Sequence, residues 1–171
     1  DMSGRGGTER TTALLANTFV RKGHDVSIVS LIDENKDCVY ELDSKIDLVY
    51  LATPSPNYLK TRINRLFLLL RAFIKILLNY SFKDNDSIII CQGFLSSVFV
   101  WFSLNANRSI ACEHYKYEVY NSALRAFRNF IYKSFMTVVV LTDNDAKRFK
   151  LHKVNAYVIP NICLLYTSDA A

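Results

Sequence analysis

The sequence predicts an α/β domain built on a doubly wound, mostly parallel sheet. Three observations carry that expectation. Apolar runs of strand length alternate with helical patterns along the chain, which is how strand–helix–strand units read. A glycine-rich turn, Gly4 to Gly7, opens directly into a helix. Half of the 171 residues are hydrophobic, enough for one sizeable core in a chain of this length.

The first helix is expected from Thr8 to Lys22, where Ala13, Leu15, Ala16, Phe19 and Val20 recur at helical spacing. Gly23 supplies a left-handed stop. Val26, Ile28 and Val29 mark a buried strand over 25–31. A polar connection covers 33–45, with a short strand expected over 38–42, and a second apolar strand fills 46–51. Two strands flanking one helix imply parallel pairing. Thr53-Pro54-Ser55-Pro56-Asn57 then opens a long helix over 58–80. Its apolar face carries Ile63, Leu66, Phe67, Leu70, Phe73, Ile74 and Leu77, while Lys60, Arg62, Arg65, Arg71 and Lys75 lie largely elsewhere. Strands over 87–91, 109–112, 137–141 and 156–159, with helices over 95–104, 119–134 and 143–150 between them, complete the alternation. Thr142 reads as the N-cap of the last helix, with Asp145 three residues on in the manner of a capping box.

The chemistry concentrates at the loops. Gly6 and Gly7 can adopt backbone angles that other residues resist, and they leave main-chain amides open at a helix N-terminus. The positive end of the helix dipole adds to those amides, which suits a phosphate or diphosphate. Glu9 stands where the dinucleotide fingerprint needs a small residue, and the lysine and hydroxyl of the nucleoside-triphosphate loop are missing. Residue chemistry alone leaves an anion-binding turn and a plain tight turn as open alternatives. In an open parallel sheet the ligand crevice lies beyond the carboxyl ends of the strands, so Gln92 and Gly93 border it. Glu113-His114-Tyr115 ends a neighbouring strand. An imidazole there can donate to a ligand hydroxyl or to developing charge, or can cap the strand.

The segments Gly6-Gly7-Thr8-Glu9-Arg10, Leu15-Ala16 and Arg21-Lys22-Gly23-His24-Asp25-Val26 together resemble the opening of the family 4 glycosyltransferases. These are GT-B enzymes that move sugar from a nucleotide-sugar donor with retention of configuration. Leu141-Thr142 and Val158-Ile159-Pro160-Asn161 resemble the landmarks that close the family's N-terminal domain, so the likeness spans Gly6 to Asn161. It implies that 1–162 form the Rossmann-like, acceptor-side half of a GT-B enzyme, with the first strand missing before Asp1. The C-terminal nucleotide-sugar-binding domain and its paired glutamates are expected to lie outside this chain. The tail 163–171 leaves the family pattern and resembles non-native read-through. Such a fragment is expected to be inactive alone. Without a central strand it is also expected to be poorly soluble or partly molten, because the neighbouring strands keep unpaired backbone groups.

For individual residues the resemblance implies that Gly6, Gly7 and Thr8 approach the donor diphosphate. Glu9, Arg10, Gln92, Gly93, Glu113 and His114 would contact the sugar or the acceptor, and His114 is the candidate catalytic residue. The nucleotide-sugar enters as co-substrate, with no metal and no other cofactor expected. The implied reaction is hexosyl transfer to a glycan or lipid-linked acceptor in polysaccharide or cell-envelope biosynthesis.

The net charge is +5, and no acidic residue occurs between Asp47 and Asp84. That field admits an anionic ligand, an anionic membrane or nucleic acid. The basic residues sit in no recognised nucleic-acid motif, so no nucleic-acid partner is expected. Arg71 and Lys75 interrupt the apolar run of the 58–80 helix, which argues against a transmembrane span. The alternative function is therefore a non-catalytic binding domain docked on anionic membrane through Lys60, Arg62, Arg65, Arg71 and Lys75. The plain reading of that helix is core packing with a solvated basic face. Cys38, Cys91, Cys112 and Cys163 show no zinc or redox spacing and read as reduced thiols, hence a cytoplasmic protein, peripheral at the inner face of the plasma membrane if the helix docks.

Overall fold

The computed structural model describes residues 2, 4–31, 38–51, 62–79 and 86–160. Helices and strands alternate through them: α1 (Gly7–Arg21), β1 (Ser27–Ser30), β2 (Asp47–Tyr50), α2 (Arg62–Asn79), β3 (Ile89–Gln92), α3 (Phe94–Phe102), β4 (Ser109–Cys112), α4 (Ser122–Tyr132), β5 (Thr137–Val140), α5 (Asp143–Leu151) and β6 (Ala156–Val158). Every pairing is parallel, as the strand–helix alternation predicts. The Rossmann-like α/β architecture is therefore present, in two pieces: β1 pairs with β2, and β3-β4-β5-β6 form a second sheet in chain order. Among the described residues no hydrogen-bonded ladder joins the two.

Each sheet has its own apolar cover. Ala13 and Ala16 of α1 bury against Ile28 and Ile46, and small side chains let the helix lie close to the strands. Lys22 closes α1, and Gly23, at φ 87°, turns the chain away. The larger core surrounds the four-stranded sheet, where Ala111, Val138, Val140 and Ala156 are essentially inaccessible. Between the sheets, Leu51, Ala72 and Phe99 bury together with Val29, Leu69 and Phe73 around them. The Phe73 ring lies 5.3 Å from Phe99 and 5.6 Å from Phe102, so α2 and α3 bridge what the strands do not.

Three expectations are corrected. No strand forms over 38–42. There Asn17 of α1 donates to the Glu41 carbonyl (2.9 Å) and accepts from the Asp43 amide (2.8 Å), satisfying backbone groups that a strand would have paired. The α4 helix starts at Ser122, because a 3-10 turn over Tyr117–Val119 precedes it and Asn121 caps it by accepting from Leu124 N (2.9 Å). Thr142 does cap α5, accepting from Asp145 N at 3.2 Å, but Asp145 does not complete a capping box. Its carboxylate accepts instead from the Thr142 hydroxyl (2.6 Å) and from Tyr117 N (2.8 Å). The 53–57 loop, Lys60, the side chains of Arg62 and Arg65, and the tail from Asn161 through Cys163 to Ala171 lie outside the described residues. No described helix is long and apolar enough to cross a membrane.

Candidate active site

Gln92 and His114 meet at the carboxyl ends of β3 and β4, and Glu9 in the first turn of α1 lies within electrostatic reach of His114. Gly6 is the N-cap of α1 and has no side chain to cap it. Its φ of −81° is one that any residue adopts, so backbone freedom is not what glycine supplies here. A methyl group on Gly6 or Gly4 would meet the Glu9 carboxylate, the far end of a side chain that can swing aside. At Gly7 an added Cβ meets nothing within 4 Å, so the turn is open on that side. Tyr40 braces it from below, donating to the Gly6 carbonyl at 3.2 Å. Thr8 is half-buried and Arg10 is exposed.

Gln92 ends β3, and Gly93 begins α3 with φ 98°, a left-handed conformation that favours glycine. The Gly93 amide donates to the Cys112 carbonyl (2.8 Å), which ties the end of β3 to the end of β4. This link sets His114 opposite Gln92, with His114 Nε2 2.7 Å from Gln92 Oε1. In the neutral imidazole Nε2 then carries the proton, and Nδ1 is left as an acceptor. Burial pushes the His114 pKa below its ordinary 6.5, and the charge of Glu9 partly opposes that. Gln92 and His114 thus form a polar pair at the carboxyl ends of adjacent strands, the end of a parallel sheet where ligands generally bind.

Glu113 is different. The resemblance implied a sugar or acceptor contact, but the side chain points inward and the residue is 2% exposed. Its Oε1 accepts from the Tyr132 hydroxyl, and its Oε2 lies 3.6 Å from Nη1 of Arg128, which is wholly buried. Burial raises the Glu113 pKa, while Tyr132 and Arg128 hold it back. The Arg128 guanidinium also sits over the rings of Tyr117, Tyr120 and Phe149, 4.8 to 5.1 Å from their centroids. Neither Arg128 nor Tyr132 stood out in the sequence. The available signal was an arginine placed three and four positions from Ile131 and Leu124, on the core face of α4.

Cys91 and Cys112 are structural thiols. Burial raises Cys91 to about 12 and Cys112 to about 11, so neither is an activated nucleophile. Among the described residues no group of His, Cys, Asp and Glu could hold a metal ion. A cavity of about 480 Å³ lies away from the strand ends, walled by Tyr117, Arg125, Asn129, Phe130 and Arg148 between the 3-10 turn, α4 and α5. It contains none of the crevice residues.

A family model for Glycosyltransferase Family 4 matches residues 5–162, nearly the whole described chain. The chain belongs to that family. It is also 29% identical over 168 residues to the amylovoran biosynthesis glycosyltransferase AmsD of Erwinia amylovora, an alignment covering 94% of this chain and 43% of the relative. The chain thus spans less than half the length of that curated glycosyltransferase. In this family 4 domain Gln92 and His114 come together within electrostatic reach of Glu9, whereas α2 carries the exposed Arg71. Lys75, expected on the same basic surface, donates from Nζ to the Leu51 carbonyl (2.6 Å) at the end of β2.

Proposed function

We propose that the full-length protein transfers a hexosyl group, with retention, from a nucleotide-sugar to a glycan or lipid-linked acceptor in polysaccharide or cell-envelope biosynthesis. The observation carrying this reading is the pairing of His114 with Gln92 at the ends of parallel strands, within electrostatic reach of Glu9 in the first turn of α1. Family membership and the name of the Erwinia relative support it. The donor diphosphate approaches the Gly7 side of the turn, because the Glu9 carboxylate already occupies the Gly4–Gly6 side. As the glycosidic bond to the diphosphate breaks, negative charge grows on the leaving oxygen and the amides behind Gly7 offset it. The acceptor oxygen forms the new bond to the anomeric carbon, and its proton leaves with the departing phosphate. Glu9 and His114 Nδ1 accept hydroxyl protons in hydrogen bonds and so orient the sugars.

The test is turnover of nucleotide-sugars by the full-length protein and its Gly7→Leu variant. The empty space at Gly7 predicts a melting temperature close to the parent's and a loss of about 100-fold or more in kcat. Parental turnover by that variant removes the diphosphate from this turn.

A second reading rests on α2, where Phe67, Leu70 and Ile74 are about half exposed on the same face as Arg71. An apolar stripe beside a cation suits the surface of an anionic bilayer. The two readings are compatible if the acceptor is lipid-linked. Full-length protein should sediment with vesicles containing phosphatidylglycerol, and Phe67→Ser with Ile74→Ser should abolish that. Equal sedimentation of the variant assigns the face to packing.

A further inference from the structure

A buried cation lies directly beneath the loop that carries His114. Glu113 begins the segment 113–117 and Tyr117 ends it. Both are buried, while Tyr115 between them is 63% exposed and His114 faces Gln92. The Arg128 guanidinium touches both ends at once: Nη1 lies 3.6 Å from Glu113 Oε2, and Nη2 donates to the Tyr117 carbonyl at 2.8 Å. Nε and Nη1 find no hydrogen-bond acceptor, and aromatic rings cover the guanidinium. The ends of the segment are held again from α4 and α5. The Tyr132 hydroxyl donates to Glu113 Oε1, the Asn129 amide to the Tyr117 hydroxyl (2.6 Å), and the Tyr117 amide to Asp145 Oδ1 (2.8 Å).

We infer that Arg128 is a positioning residue for the crevice, clamping Glu113 and Tyr117 so that the intervening segment presents His114 to Gln92. Burying an arginine and a carboxylate together gives weak net stability compared with apolar packing, so a stability role alone is a poor reason for the pair. Geometry explains it better. A planar guanidinium spreads its donors over three nitrogens in a rigid fork, whereas a lysine carries all of its donors on one nitrogen, and the fork reaches both ends of the segment. The inference rests on the reading of His114 as a site residue, and its test separates the two.

The experiment follows the imidazole of His114 by NMR titration in the full-length protein, with the exposed and distant His24 as the internal reference. Glu9 and Gln92 are the side chains acting on that ring from neighbouring elements. Arg128→Lys keeps the charge and loses the fork. Its His114 should titrate closer to the ordinary value as the segment opens to water, and kcat/KM should fall about 10- to 100-fold. If Arg128→Lys does not fold, the neutral pair Glu113→Gln/Arg128→Met carries the same two readings, and Tyr132→Phe, which removes one hydroxyl from Glu113, is the mildest form. A parental His114 titration in the folded variants overturns the clamp. A shifted titration with unchanged kcat/KM upholds the clamp but overturns His114 as a site residue.

Discussion

His114 shows how one side chain acquires its chemistry from its surroundings. Alone, an imidazole titrates near 6.5; partial burial beside Gln92 lowers that value, and Glu9 limits the drop. The folded protein therefore takes up this proton less readily than the unfolded chain. Nothing is lost well above pH 6.5, where both states are neutral, and the penalty grows as pH falls through the unfolded value towards the folded one. His114→Gln should accordingly flatten the acid-side fall in melting temperature between about pH 7 and about pH 5. Glu9→Gln should move the His114 titration further down, since it removes the opposing charge. A titration that rises or stays in place in that variant shows that Glu9 is not the partner. Much of this was legible, because Gln92, Glu113 and His114 all follow apolar strand patterns. The inward turn of Glu113 was not, because its partners Arg128 and Tyr132 are set by the packing of a later helix.

Two of the helices, α4 and α5, are anchored by a side chain at the first turn. Asn121 caps α4 and Thr142 caps α5, each by accepting a backbone amide that the helix cannot satisfy internally. Asn121→Ala should cost about 1 kcal/mol. Thr142→Ala should cost more, about 1 to 2 kcal/mol, because its hydroxyl also donates to the buried Asp145, which holds Tyr117. Urea denaturation reads both as a lower midpoint with an unchanged slope. Equal losses in the two variants mean that the Thr142–Asp145 bond carries nothing. The half-exposed pair Arg148–Glu118, at 3.5 Å, is the natural control, since breaking it should cost only a few tenths of a kcal/mol. The α1 and α5 boundaries were readable from glycine and threonine signals. The α4 start was masked by a 3-10 turn, which shares local apolar spacing with a helix.

Across the described residues the strands form two parallel sheets of unequal strength. In the four-stranded sheet β4 and β5 are paired on both sides and lie over the larger core. The β1–β2 pair has one ladder and a smaller apolar cover, and a two-stranded sheet has little stability of its own. Native-state hydrogen exchange should therefore find the amides of β4 and β5 protected longest and those of β1 and β2 opening first. Uniform protection across all six strands means instead that the Leu51–Phe99 cluster couples the sheets into one cooperative unit.

Period and punctuation are local properties, and they sufficed for the strand–helix alternation, the stop of α1 at Gly23, the β4 strand over 109–112 and the family's opening segment. Contacts between distant positions are not local. Gln92 and His114 stand 22 residues apart, and Tyr132 and Glu113 stand 19 apart. Whether such groups meet depends on the sheet order that places their strands side by side and on the face each helix turns inward. The tertiary structure alone therefore decided that His114 faces Gln92, that Glu113 faces the core, and that a buried arginine lies between the two ends of their loop. Burial makes that last choice consequential, since a charge removed from water must find its partners within the fold.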